Sequence, residues 1–204
     1  NRIEVIVRIP VETATNKAVA STILEGNLTI PVNANITKGI VVFAHGSGSS
    51  RHSPRNGYLA HALNKDGLAT LVVDLLTQGE GESDIRTEKI RCKIPGLILN
   101  KFNIKLLADR LKRITDWLRT TTYFETSGFI IGYFGASTGA AAALVAAAAR
   151  PNLISAIVSR GGRPDLAGKE VLDQIEAPTL LIVGENDKTV IGLNQNALKM
   201  LARI

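Results

Sequence analysis

The sequence predicts an α/β protein built on an open, doubly wound, mostly parallel sheet, and three observations carry that prediction. Residues 39–45, 70–74, 129–134, 154–159 and 179–184 are apolar along their length, as parallel strands covered by helices on both faces must be. Helical segments at 57–65, 101–119, 138–149 and 194–202 alternate with them, the order of a βαβ sheet. The most polar strand ends are the loop starting at His45, Ser137 and Asp187, and an open sheet of this kind keeps its ligand site at the carboxyl ends of its strands.

Taken in order, Ile3, Val5, Val7 and Ile9 recur at period two with Glu4 and Arg8 between them, the pattern of a half-exposed strand. A second strand is expected over 22–30, bulged at Gly26 and stopped by Pro31, and these two strands pair antiparallel. The helix over 57–65 ends before Gly67, which suits a C-cap. Ile104, Leu107, Leu111, Ile114 and Leu118 give the long helix one apolar stripe. Residues 96–103 lead into it irregularly. Alanine fills the helix over 138–149 until Pro151. All 204 residues fit one domain, residues 1–204, large enough for a real core.

Composition narrows the function classes. Twenty-four Lys and Arg against eighteen Asp and Glu leave a net charge of +6. The basic residues are scattered and lack the interleaved aromatics of a strand-binding surface, so no nucleic-acid partner is expected. A basic pocket for an anionic substrate stays open. Cys92 is the single cysteine; it forms no internal disulfide, suits a reducing compartment, and reads as an inert thiol between charged neighbours. No signal peptide or bilayer-spanning stretch is visible, and the expected location is cytoplasmic, with no membrane partner. The three histidines show no ligand spacing, so neither a metal site nor a cofactor is expected. A homo-oligomer is left open.

The motif with most chemical content is Gly135-Ala136-Ser137-Thr138-Gly139. An apolar strand precedes it and a buried helix follows. Strand, sharp turn and helix are the setting that a nucleophile elbow demands, and its glycine flanks let strand and helix pass closely. Ser137 is the candidate nucleophile. The N–H of Thr138 at the helix start, with those near Gly46 and Ser47 in the glycine-rich loop, would form an oxyanion hole. Asp187, just past the strand 179–184, is the candidate acid that orients a histidine; a helix cap is the plainer alternative, and Glu185 and Asp74 are rivals. His45 reads as a loop-bonding residue, His61 as a surface or packing residue, and His52 as a substrate-binding or capping residue beside the proposed site. No histidine follows Asp187, although the motif's chain order places the base there.

Residues 45–56, 75–87, 106–118, 132–148, 159–168 and 177–187 together resemble the dienelactone hydrolase family of α/β-hydrolases, above all a small subfamily found beside or fused to a phosphoribosyltransferase-like domain. The resemblance runs from about Gly39 onward. It implies the α/β-hydrolase fold, Ser137 as nucleophile, Asp187 as acid and the His45 loop as oxyanion wall. Founding members use cysteine as nucleophile; this chain has serine there, so dienelactone itself does not carry over as substrate. In the family a further strand, a histidine-bearing loop and a final helix follow the acid. The chain is therefore expected to lack that strand and helix, on the order of 30 residues.

Arg51, Arg55, Arg160 and Arg163 lie near the same sheet edge. Their planar forks suit a carboxylate or phosphate, which would make the substrate an anionic ester or lactone; alternatively they pair with local acids, as Arg163 would with Asp165. Three functional readings stand: a serine hydrolase of a carboxylic ester, lactone or thioester, an acyltransferase with the same machinery, and a binding or regulatory module that lacks the triad histidine.

Overall fold

A computed structural model describes residues 2–15, 18–32, 39–89, 97–121 and 130–201. Cys92, the lead-in at Gly96, Phe129 and Ala202 lie outside the described residues. β1 (Arg2–Thr15) and β2 (Ala18–Pro31) form an antiparallel hairpin longer than either expected strand. Its register runs unbroken through Val7↔Gly26. Gly26 is therefore not a bulge; a Cβ there would stand 2.8 Å from Leu71 Cδ1, so glycine lets the buried Leu71 side chain pack close. β2 then pairs antiparallel with β4 (Ala69–Val73).

From β4 the sheet is parallel. β3 (Ile40–Ala44) pairs with β4 and with β5 (Ile131–Ala136), β5 with β6 (Ile154–Arg160), and β6 with β7 (Thr179–Ile182). The spatial order is β1-β2-β4-β3-β5-β6-β7, which puts the strands expected to carry chemistry side by side. The core strands are apolar on both faces because both are covered. On one face α1 (Pro54–Lys65) buries Ala60 against Phe43, Val72 and Phe134. On the other, α3 (Ile104–Thr120) and α4 (Thr138–Ala148) bury Leu107, Leu111, Ile114 and a run of alanines. Pro54 opens α1 earlier than expected; its missing N–H costs nothing in a first turn.

Three further α-helices lie among the described residues. α2 (Gln78–Glu88) was not predicted, α5 (Lys169–Leu172) is a single turn, and α6 (Lys188–Leu201) begins six residues before the expected 194. α2 carries a capping box: the Thr77 hydroxyl accepts the Glu80 N–H, and the Glu80 carboxylate accepts the Thr77 N–H at 2.8 Å. Arg110 of α3, only 2 % exposed, locks α2 in place. It donates to both carboxylate oxygens of Glu80 at 2.6 and 2.8 Å and to the Leu75 carbonyl at 2.6 Å. No helix among the described residues is long and apolar enough to cross a membrane.

Candidate active site

Ser137 sits at the junction of β5 and α4 with φ 52° and ψ −122°. Among the described residues it is the one non-glycine with positive φ, a conformation that costs about 1–3 kcal/mol unless the surroundings impose it. The surroundings do impose it. A Cβ on Gly139 would lie 2.1 Å from the Ala44 carbonyl oxygen, and one on Gly135 would lie 2.4 Å from Ala140 Cα. Strand and helix thus touch at backbone distance, and the alanines behind the turn allow that approach. Ser137 is the N-cap of α4, yet its side chain makes no capping bond. Serine at an N-cap ordinarily bonds the helix N–H groups; here the hydroxyl is left for another partner.

Gly46 follows β3 and packs against the serine: a Cβ on Gly46 would stand 3.0 Å from Ser137 Cβ. Thr138 is the first residue of α4, so its N–H belongs to the unpaired donors of a first turn. Gly46, Ser47 and Thr138 all line one cleft of about 870 Å³. Behind the turn, the Arg163 N–H donates to the Ser137 carbonyl at 3.2 Å. The preceding Gly162 carbonyl accepts from Asn194 Nδ2 of α6 at 3.0 Å. The segment 159–163 therefore ties the elbow to α6.

Asp187 ends the β7–α6 connection and is exposed. Its Oδ1 accepts the Val190 N–H at 3.2 Å and its carbonyl accepts the Ile191 N–H at 2.9 Å, the geometry of an N-cap on α6. Ser137 and Asp187 lie at the carboxyl ends of β5 and β7, with β6 between them.

His45 and Asp74 belong to a different network. The imidazole donates from Nδ1 to the Gly46 carbonyl at 2.9 Å, while Nε2 lies 3.4 Å from the Leu75 nitrogen and 3.5 Å from Asp74 Oδ1. Both ring nitrogens are thereby engaged, and His45 bonds its loop to the residues that follow β4. Asp74 also accepts the Arg51 N–H at 2.7 Å and the Arg51 guanidinium, whose other end reaches Glu25 at 2.7 Å. Burial alone would raise the Asp74 pKa, but the hydrogen bonds from His45 and Arg51 outweigh it and bring it to about 2.

The four arginines divide. Arg51 is engaged by Asp74 and Glu25. Arg163 makes a two-pronged pair with Asp165 at 2.7 and 2.8 Å. Arg55 and Arg160 form no ion pair among the described residues. Arg160 faces Ala136 across the β5–β6 ladder, and its guanidinium lies 5.9 Å from the Phe134 ring centroid. Burial, then the like charge of Arg55, pull its pKa below the ordinary value. His52 is exposed and lines the cleft; His61 on α1 bonds Arg2 of β1. No group of three His, Cys, Asp or Glu among the described residues could hold a metal.

Sequence reasoning missed Glu25, Asn194 and the Glu80–Arg110 pair. Thr77 three residues before Glu80 was the available signal for α2. The others are long-range contacts with no local signature.

Comparison with known proteins agrees with this geometry. The sequence profile of the dienelactone hydrolase family matches residues 24–202. A Mycobacterium tuberculosis protein named as a phosphoribosyl transferase is 53% identical over 172 residues, which cover 84% of this chain and 34% of that protein. The chain thus spans about a third of the length of the curated relatives it matches. The crystal structure of a dienelactone hydrolase from Anabaena variabilis is 50% identical, with a TM-score of 0.76 over 96% of this chain and 82% of that one. A carboxyl esterase from Tuber melanosporum shares the fold at 14% identity, with a TM-score of 0.67 over 100% of this chain and 74% of that one. The chain has the α/β-hydrolase fold and belongs to the dienelactone hydrolase family.

Proposed function

We propose that this chain is a serine hydrolase domain that cleaves a carboxylic ester, lactone or thioester through an acyl-enzyme on Ser137. The observation that carries this reading is the strained, non-capping Ser137, held against the Gly46 loop at the head of α4. Its hydroxyl attacks the carbonyl carbon. The developing oxyanion is held by N–H groups of Thr138 and of the Gly46–Ser47 segment. The alcohol or thiol then leaves, and water releases the acyl group. Asp187 serves as the acid behind a histidine base that is not one of the three histidines in this sequence. Arg55 and Arg160, with no acid partner among the described residues, are the groups suited to an anionic portion of the substrate. The reaction takes place in the cytoplasm.

The test is labelling with a fluorophosphonate, which phosphonylates an activated serine. One adduct per chain, absent in Ser137→Ala, is expected. A second reading, a ligand-binding module without turnover, has one observation in its favour: both ring nitrogens of His45 are engaged away from Ser137. Absence of any adduct would favour it.

A further inference from the structure

The cleft of about 870 Å³ begins at Gly46, Ser47 and Thr138 and runs between the β1–β2 hairpin and α2. Its size is that of a site for a small organic ligand. Ile23, Leu76, Ile85 and Leu107 supply apolar walls. The fixed charges on its lining are Arg8, Arg51 and Lys101 against Glu25, Asp74 and Asp84, equal in number, and all but Arg8, whose side chain is 75% exposed at the rim, are held in close pairs or hydrogen bonds.

Arg51 bridges Asp74 and Glu25, and Arg8 lies 3.7 Å from Glu25. Lys101 Nζ pairs with Glu88 at 2.8 Å. The Asp84 carboxylate, 4 % exposed as a residue, accepts the Asn100 N–H at 2.9 Å, the Asn100 side-chain amide at 3.1 Å and the Lys101 N–H at 2.8 Å. A charged ligand group entering past the Arg8 rim would have to be desolvated without a counter-ion or break one of these pairs, and either is unfavourable. The contrast with Arg55 and Arg160, which no acid neutralises among the described residues, is direct.

From this we infer that the cleft between the hairpin and α2 takes an uncharged, apolar half of the substrate, such as an unbranched aliphatic chain. An anionic group is disfavoured in the interior of this cleft. The inference rests on the reading of Ser137 as nucleophile only for which reaction the cleft serves; the binding preference is a property of the cleft itself. Ile85 on α2 is 60 % exposed, so it can be changed without disturbing the core, and it sets the character of one wall.

The test needs no turnover. Hexanamide and its ω-carboxylate counterpart, adipamate, are titrated into Ser137→Ala protein at pH 8, with amide chemical shifts as the readout. Hexanamide is expected to shift residues of the cleft, with adipamate binding weaker by about tenfold or more, the scale of one unpaired group in an apolar pocket. Ile85→Lys is expected to reverse that order by giving the carboxylate a partner. Equal binding, tighter adipamate, no shifts from either, or no reversal in Ile85→Lys would overturn the inference. On the wild-type protein, a hexyl fluorophosphonate is expected to label Ser137 about tenfold faster than its ω-carboxyhexyl analogue. Labelling at equal rates counts against the cleft, whereas labelling by neither counts against the nucleophile and leaves the titration to decide the cleft.

Discussion

Removing the Glu80 carboxylate tests how the cleft wall is held. Oε2 accepts from Arg110 Nη1 and the Thr77 N–H, both at 2.8 Å, and Oε1 accepts from Arg110 Nη2 at 2.6 Å. Glu80→Ala leaves the guanidinium of Arg110, 2 % exposed, with the Leu75 carbonyl as its remaining partner among the described residues. Stripping one member from a buried pair costs about 3–5 kcal/mol. Loss of the reciprocal cap belongs to the same change, so about 4 kcal/mol in all is expected. At about 2–4 °C per kcal/mol for a domain of this size, the melting temperature should fall by about 10 °C. Arg110→Met should cost less, because the Glu80 side chain is 30% exposed and water can reach it. Urea unfolding of the two single variants and the double closes a cycle. The double should be more stable than Glu80→Ala alone, with a coupling of about 2 kcal/mol, because two absent charges cost less than one stranded charge. A Glu80→Ala loss below about 1 kcal/mol, the range of an exposed pair, would refute the reasoning. So would a double variant no more stable than the single.

Other consequences are as direct. The Asp74 pKa is lowered from 3.8 to about 2, so its contribution to stability is complete above 3.8 and is lost as pH falls through about 2. Urea midpoints should therefore drop between pH 4 and pH 2 in the wild type, and Asp74→Asn should weaken that limb, leaving the share of Glu80 and Asp165, whose pKa values are also lowered, while lowering stability at pH 7. Gly139→Ala would place a Cβ 2.1 Å from the Ala44 carbonyl oxygen; a loss of about 1–3 kcal/mol is expected from overpacking, together with loss of fluorophosphonate labelling by intact mass. Asn194→Ala leaves the Gly162 carbonyl without its 3.0 Å donor and should cost about 1–3 kcal/mol in urea unfolding. Asn194→Asp should not rescue it, since a carboxylate cannot donate.

The parallel strands were legible because burial on both faces makes their sequences apolar throughout, and the elbow was legible because its glycines are forced by backbone contact. α2 was not. Its sequence, Gln78 to Glu88, holds two glycines and Ile85 as its one large apolar residue, so no helical stripe exists to read; the helix stands on its cap and on Arg110. That arginine follows Leu107 by three residues on α3, and its burial is decided by Glu80, thirty residues earlier in the chain. α6 hid its first turn in the same way, since its start depends on the Asp187 cap rather than on apolar spacing. Of the candidate site, the residue types were readable, but which arginines would be neutralised was not, because Glu25 comes from the hairpin and Asp74 from the loop just after β4.

Ser137 forgoes two ordinary sources of stability. Its positive φ costs about 1–3 kcal/mol, and a serine N-cap that bonded its helix would recover about 1 kcal/mol more. A residue whose only task was to join β5 to α4 would relax to recover both, or would be glycine. The neighbourhood prevents relaxation. Gly135 and Gly139 bring strand and helix together, Gly46 closes from β3, and the Arg163 N–H holds the Ser137 carbonyl. Each support comes from a different segment, and Asn194 fastens the Arg163 segment to α6, the helix that Asp187 caps. Strain maintained by supports from several elements, on a side chain kept free of the helix it caps, is the physical argument for chemistry at this turn.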